Sequence, residues 1–510
     1  RKSSRRRWRS WDCRSGRLRL QTECMGRQRM KTMEHITVKE ITEAAGGRLL
    51  AGDPSALVTE ISIDSREAGK GCLFVPLIGE KNDAHRFIMT ALDQGTAAVF
   101  TSEHEETSEE VKESRQRWPE AAWIQVEDTR KALQSLGAFI RRRLTLPLVG
   151  ITGSVGKTTT REMVATALSA GYRVFKTPAN HNSQIGVPLT LSKISREDQI
   201  GVLELGMSEP GEMEVIAEIA AVDMAVITNV GVTHIENLGS RENILREKLN
   251  IQRGMNPSGP IFLNSDNDLL CRVSGWDGRE TVYFGTGEQA DYRAADISME
   301  NGCPSFTMVH GDVRIPVTLS VMGEHNILNA LAALAVADRN GVSLEAAAEK
   351  LREFGGFKNR QQVYEAAGVT IIDDTYNASP DSMKAGIKVL SSFETSRRRV
   401  AVLADMKELG PDAGLFHRQV GEFLAGEQVD ALITLGELAE QIEEGARLRR
   451  PSLFAASFRD KEEMTRFLEE FLKPGDCVLF KGSNSMKLGE TALYFRNKGK
   501  EQAESAQARG

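Results

Sequence analysis

Two spacings of apolar residues take turns along this chain, a helical one and that of short alternating or unbroken strands. From Ile36, the positions Val38, Ile41, Ala44 and Ala45 fall on one helical face until Gly46 and Gly47 stop the run. Val58 to Arg66 then alternates as a strand, Gly71 to Leu77 reads as a second, Ala84 to Leu92 as a helix and Ala97 to Phe100 as a buried strand. Glu103 to Arg117 is charged without a sustained apolar period, so a domain boundary is expected there.

Beyond that point strands and helices alternate more strictly. An apolar run ending at Ile151 leads through glycines into a helix with Met163, Val164, Ala167 and Leu168 on one face. Gly201 to Gly206, Met224 to Val230 and Pro260 to Asn264 read as strands, separated by helices over Glu212 to Ile219 and Ser240 to Arg253. Gly323 opens a strongly apolar helix. Strands starting at Val369, Arg399, Ala431 and Asp476 then continue the alternation, and the Lys/Glu-rich tail after Arg496 is expected to fray. Such alternation predicts an α/β protein with mainly parallel sheets, whose ligands sit at the carboxyl ends of the strands.

The candidate chemistry is densest at Leu146 to Val164. A strand, the loop Gly153-Ser154-Val155-Gly156 and a helix beginning Lys157-Thr158-Thr159 form a phosphate cradle. Loop N–H groups and the helix dipole face the anion, Lys157 adds a point charge, and the Thr158 hydroxyl suits a magnesium ion. Ile151 stands where the general G-x-x-x-x-G-K-[ST] pattern has its first glycine. Glu204 and His234 fall at or just beyond two strand ends, and beside a cradle they point to a metal–nucleotide site. The amide-rich loop from Asn180 to Pro188 suits a polar substrate, Asn326 stands at a helix entrance where a base can be contacted, and Asp64-Ser65-Arg66 ends a strand with groups able to hold phosphate or uracil.

Length and charge refine this picture. At 510 residues about three domains are expected. No apolar run approaches a membrane span, so no stable membrane insertion is expected. The net charge of −6 conceals an arm, residues 1–32, with twelve Lys/Arg against Asp12 and Glu23. With Trp8 and Trp11 it offers a surface to nucleic acid or an anionic membrane. It has no apolar signal core and Met33 follows it, so we expect a disordered extension outside the native fold and no nucleic-acid partner. Cys13, Cys24, Cys72, Cys271, Cys303 and Cys477 lack any C-x-x-C spacing and read as reduced, structural thiols of a cytoplasmic protein.

With these residues assembled, the chain resembles the Mur ligase family of bacterial cell-wall synthesis from about Ile36 to Arg496. Thr152 to Thr159 matches the family loop T-G-x-x-G-K-T-T, in which the missing first glycine is normal. Asn229-Val-Gly-Val-Thr-His-Ile-Glu, Gly323-Glu-His-Asn and Asp373-Asp-Thr-Tyr-Asn-Ala-Ser-Pro follow in the family's order. Asn182-Ser-Gln-Ile-Gly-Val-Pro, Ala404-Asp-Met-Lys-Glu-Leu-Gly and Lys481-Gly-Ser-Asn-Ser-Met look like the branch that adds a D-alanyl-D-alanine dipeptide. Sister ligases adding diaminopimelate or lysine, or a folylpolyglutamate synthase-like ligase, are the alternatives.

The resemblance implies an ADP-forming ligase joining D-Ala-D-Ala to UDP-N-acetylmuramoyl-tripeptide with ATP and a pair of magnesium ions, working as a monomer. Its domains would be a small α/β UDP-binding unit over 33–116, a central P-loop ATPase over 117–355 and a Rossmann-like unit over 356–498, with a frayed tail at 499–510. By the same likeness Lys157, His234, Lys248 and Arg360 are catalytic. Gly153, Ser154, Val155, Gly156, Lys157, Thr158, Thr159, Asn326, Arg360, Asp374, Tyr376 and Asn377 bind ATP. Thr158, Glu204, His234 and Lys248 as a carbamate hold metal, and Ser65, Arg66, Asn182 and Ser183 meet the UDP-linked substrate. Lys248-Leu-Asn250 departs from the family's frequent Lys-x-Glu.

Overall fold

A computed structural model describes residues 36–507 except 80, 81, 301, 358 and 359, with side chains as far as residue 499. The basic arm expected over 1–32, with Cys13 and Cys24, lies outside the described residues. Three α/β layers follow one another along the chain, each built on its own principal sheet.

The first sheet runs, edge to edge, Arg48–Ala51, Ala122–Gln125, Ala98–Thr101, Cys72–Phe74, Glu60–Ser62. All neighbours are parallel except the Arg48–Ala51 edge. This corrects the boundary expected at 116, because Ala122–Gln125 completes the sheet from beyond it. The charged stretch contains a helix, Glu109–Arg117, that buries only Val111 and Ser114, too little to give an apolar period. The alternating run from Val58 is likewise divided: Leu57–Val58 pairs with Ile36–Thr37, and only Glu60–Ser62 joins the main sheet.

The central sheet has nine strands, ordered Val313–Thr318, Cys303–His310, Tyr292–Glu300, Thr281–Gly285, Ile261–Asn264, Met224–Ile227, Leu148–Thr152, Ile200–Glu204, Val174–Lys176. Its parallel body carries an antiparallel meander at one edge, which the apolar spacing had not signalled. The meander's strands are half-exposed and alternate, whereas the parallel strands are buried on both faces and read as continuous apolar runs. On one face the helices Lys157–Leu168 and His325–Arg339 pack together, the second burying a run of alanines with Leu331 and Leu334 that permits close approach. On the other face Thr129–Arg143 and Glu212–Ala220 share a core with the first sheet. Phe262 is fully buried in the core between the central sheet and the helices Lys157–Leu168 and His325–Arg339, and its truncation to alanine is expected to cost about 3–5 kcal/mol.

The register matters more for the site. Ile151 lies opposite Glu204 on one side, and Thr152 opposite Ile227 on the other. The carboxyl ends of three adjacent parallel strands therefore open at one level.

The third sheet is ordered Gln362–Ala366, Val369–Asp374, Cys477–Lys481, Arg399–Ala404, Ala431–Leu435, Phe454–Phe458, parallel except for its first strand, with cores on both faces. Leu488–Gln507 is one helix, so the tail expected to fray is helical as far as it is described, and 508–510 lie outside the described residues. Cys72 and Cys477 are buried, Cys303 is intermediate, and Cys271 is exposed and so has no place in a core; all four are free thiols. Among the described residues no helix is long and apolar enough to cross a membrane.

Candidate active site

The cradle is shaped by close approach. A β-carbon on Gly153 would lie 1.8 Å from Thr228 Oγ1, and Gly156, at φ +86°, takes the left-handed turn that starts the helix Lys157–Leu168. Asn229 braces the loop, its carbonyl accepting the Ser154 N–H at 3.0 Å and its side-chain oxygen the Val155 N–H at 2.8 Å. Thr228 Oγ1 donates to the Val155 carbonyl at 2.6 Å, and Ser154 Oγ accepts the Gly231 N–H at 2.9 Å. With those two loop amides engaged, the donors left for an anion are those of the helix start. Lys157 Nζ donates to the Gly153 carbonyl at 2.8 Å. Burial pushes its ammonium below the ordinary range, Glu204 opposing and Arg360 adding to the shift.

Glu204, buried at its strand end, is held at both oxygens. Asn182 Nδ2 donates to Oε1 at 2.8 Å and Arg161 Nη1 to Oε2 at 3.2 Å. Arg161 is itself buried and also grips Glu162, which pairs with Lys176. Lys248 lies buried on the helix Arg241–Leu249, with no hydrogen bond recorded for its ammonium among the described residues. Burial and then the charge of Lys157 drive its pKa well below the ordinary range.

The third layer reaches over this floor. Arg360 Nη2 donates to Thr158 Oγ1 at 3.0 Å while its guanidinium stacks 4.1 Å from the Tyr376 ring centroid. Lys481, next to Asp374 in register, donates to Asp374 Oδ2 at 2.7 Å and to the Asn377 carbonyl at 3.1 Å. His325 faces the same region, its pKa pushed down to about 4 by burial, with Asp374 opposing and Lys481 adding. Asn326 Nδ2 donates to the Met322 carbonyl, and Asn326 Oδ1 accepts from Asn329, which in turn accepts from Thr160 on the cradle helix. Glu408 Oε2 stands 2.5 Å from His234 Nδ1, and this contact holds the Glu408 carboxyl below its usual range.

One cavity of about 1000 Å³ is lined from both layers. It gathers Ser154, Val155, Gly156, Lys157, Thr158, Thr159, Asn182, Ser183, Glu204, His234, Asn326, Arg360, Asp374, Tyr376 and Asn377. Four expected residues do not line it. Gly153 lies beneath the loop, and Lys248 lies behind Lys157 rather than on the wall. Ser65 and Arg66 follow the edge strand Glu60–Ser62 of the first sheet, where Arg66 is exposed and paired with Asp64 at 2.5 Å. Asn229, Thr233, His325, Asn329, Asp381 and Lys481 line it as well and had not been singled out as site residues. Asn229, Thr233, His325 and Lys481 had been quoted within motifs; for Asn229 and Lys481 the position at the end of an apolar run was the available signal.

A separate trio, Asp83, His85 and Glu103, brings three ligand-type atoms within 4.8 Å. Its histidine is already committed: Nε2 accepts the Ser102 N–H at 3.1 Å and Nδ1–H donates to Asp83 at 2.7 Å. That arrangement ties the helix entrance at Asp83 to the strand Ala98–Thr101 and leaves no imidazole lone pair for a metal.

Comparison with known proteins agrees with this geometry. Residues 57–141 match the Mur ligase family catalytic domain, 151–337 the Mur ligase middle domain and 359–484 the Mur ligase glutamate ligase domain. The UDP-N-acetylmuramoyl-tripeptide–D-alanyl-D-alanine ligase of Bacillus subtilis is 35% identical over 458 residues, 89% of this chain and 97% of that protein. A crystal structure of MurF from Acinetobacter baumannii superimposes with a TM-score of 0.82 at 30% identity, covering 91% of this chain and 99% of the other. MurF ligase from Thermotoga maritima in complex with ADP gives 0.76 at 29% identity, covering 87% and 99%. Three domain matches in order on this fold, and a relative aligned over almost its whole length, establish that the chain belongs to the Mur ligase family.

Proposed function

We propose that the chain joins D-alanyl-D-alanine to UDP-N-acetylmuramoyl-tripeptide at the expense of ATP, as its Bacillus subtilis relative is named for doing. The observation that carries the reading is the Arg360–Thr158 contact of 3.0 Å, which sets a cation of the third layer on the cradle of the second. A carboxylate approaching ATP brings like charges together, and a cradle with Lys157 on one side and Arg360 on the other offsets that repulsion. The tripeptide carboxylate attacks the γ-phosphorus, ADP leaves, and the amine of the dipeptide displaces phosphate from the acyl phosphate. Seating the third layer over the cradle also keeps water from that intermediate.

The residues fit magnesium. Thr158 offers a hydroxyl, and Glu204 is a carboxylate whose two oxygens each accept one recorded hydrogen bond and keep a lone pair. Thr158 and Glu204 would hold a first ion and His234, with Lys248 as a carbamate, a second; bound there, magnesium neutralises phosphate charge. The depressed pKa of Lys248 supports the carbamate, because only a neutral amine adds carbon dioxide. Asp374, Tyr376, Asn377 and Asn326 would receive the nucleoside, Asn182 and Ser183 the muramoyl peptide, and Ser65 with Arg66 the distant UDP end. A monomer working in the cytoplasm completes the reading, the cysteines among the described residues being free thiols.

The test is ATP-dependent phosphate release with UDP-muramoyl tripeptide, comparing D-Ala-D-Ala with single amino acids. Release with the dipeptide alone is expected. Release only with a single amino acid would sink the dipeptide assignment and leave the family standing.

A further inference from the structure

The stretch Ala404-Asp-Met-Lys-Glu-Leu-Gly has no part in the chemistry above, yet it is fastened by a series of hydrogen bonds. Asp405 Oδ1 accepts the Ala439 N–H at 2.8 Å, and its carbonyl accepts the Ser483 N–H at 3.1 Å. Met406 N–H donates to His417 Nε2 at 2.9 Å, and that buried ring is fixed by its Nδ1–H to the Ala413 carbonyl at 2.6 Å. Lys407 N–H donates to Ser483 Oγ at 3.0 Å. Gly410, at φ +63°, lies so close to the second layer that a β-carbon there would meet Glu236 Cα at 3.3 Å.

This fastening leaves Glu408 in the left-handed region, at φ +62°. The residue it meets, His234, is left-handed too, at φ +65°. Non-glycine residues reach that region only when the surroundings impose it, and such residues gather at functional sites. Here two of them meet across two layers. His234 Nδ1 is buried 2.5 Å from the Glu408 carboxylate, without the alignment of a straight hydrogen bond. The ring lines the cavity, and its Nε2 makes no bond recorded among the described residues.

We propose that Glu408 is a positioning residue of the phosphoryl-transfer site: delivered by the third layer, its carboxylate fixes the His234 ring with Nε2 toward the cavity. The proposal rests on the reading that His234 holds a cation there. A ligand histidine whose second nitrogen faces a carboxylate is kept in one tautomer and orientation. Because the carboxylate arrives with the third layer, the ligand is set only when that layer is seated, and cation binding and closure become one event.

The experiment uses the full chain with ADP and Mn²⁺ as the probe, reading bound Mn²⁺ by electron paramagnetic resonance beside Mg²⁺ activation, ATP KM and Tm. His234→Asn and Glu408→Ala are each expected to weaken Mn²⁺ binding at the histidine site about tenfold. The double variant should be no weaker than His234→Asn alone, since the two act as a unit. Glu408→Gln, whose amide oxygen still faces the ring, should recover part of the loss, with ATP KM and Tm near the parent's. Loss on His234→Asn with none on Glu408→Ala overturns the proposal and leaves the reading of His234 intact. No loss on either removes that reading and the proposal with it. A Glu408→Ala variant that lowers only Tm assigns a structural role and likewise overturns the proposal.

Discussion

The two halves of the cavity are built differently. The cradle half comes from one continuous stretch, Gly153 to Thr159, with Glu204 and Asn229 supplied by the strands on either side. The third-layer half is assembled from Arg360, Asp374, Tyr376 and Lys481, spread over more than a hundred residues, with Glu408 behind the cavity against His234, and most of them work through a partner. A cradle is a local solution to binding an anion, because turn glycines and a helix start suffice. The opposite wall must be set by tertiary structure. On the first half Lys157 is bound only by a backbone carbonyl, whereas on the second Asp374 and Lys481 neutralise each other within the protein.

The hardest test of this contrast uses the residues where the halves meet. Lys157→Ala and Arg360→Ala are each expected to lower kcat about 10³-fold while circular dichroism stays unchanged. Acting on one phosphate, they should not multiply, so the double variant should fall little below either single one. Fully multiplicative losses would mean that cradle and wall serve separate steps.

How much could be read in advance follows the same division. The cradle, Glu204 and His234 were visible because each sits at the end of an apolar strand, where parallel sheets place ligands. Arg360, Tyr376 and Asn377 came only through the family likeness, and so did Asp374, although it ends an apolar strand. Lys481 reads as a charge after an apolar run, and only the register beside Asp374, 107 residues away in sequence, gives it a partner. Arg161 looks like a solvated helical residue and is buried against Glu204 and Glu162. Ala122–Gln125 was assigned past a boundary because local polarity says nothing about which sheet a strand joins.

Stability should separate the halves next. Lys481→Met leaves Asp374 buried without its cation, and breaking such a pair costs about 3–5 kcal/mol, measurable as a lowered urea midpoint of the third layer. Asp374→Asn in the same chain should recover much of it. Lys157→Ala is expected to be near neutral or stabilising, since a half-buried ammonium held only by a carbonyl is a functional group that folding does not need. Equal destabilisation by both substitutions would break the comparison.

A smaller effect follows from His325, half-buried on the cavity wall where the two halves face each other. Its folded pKa of about 4 lies below the ordinary 6.5, so between those values the unfolded chain binds the extra proton. Stability from this group is complete above about 6.5 and declines as pH falls toward 4, by at most about 3 kcal/mol. Urea midpoints of the parent should fall more steeply than those of His325→Asn across that window. Parallel curves would show that the histidine is hydrated or charged in the folded protein.

The smallest change is expected at Arg66, which belongs to neither half. Its guanidinium is exposed and tied to Asp64, whose carboxyl it holds at about 2, and an exposed pair of this kind adds little to folding. If the first layer holds the UDP end, Arg66→Ala should raise KM for the UDP-linked substrate about tenfold, the scale of one charge-assisted hydrogen bond. KM for ATP and kcat should not move, because no part of the cavity wall is disturbed. A fall in kcat would join the first layer to the reacting centre and turn the division into halves into one of thirds. An unchanged KM would leave Arg66 as an ordinary surface residue, and the UDP end would have to be sought elsewhere.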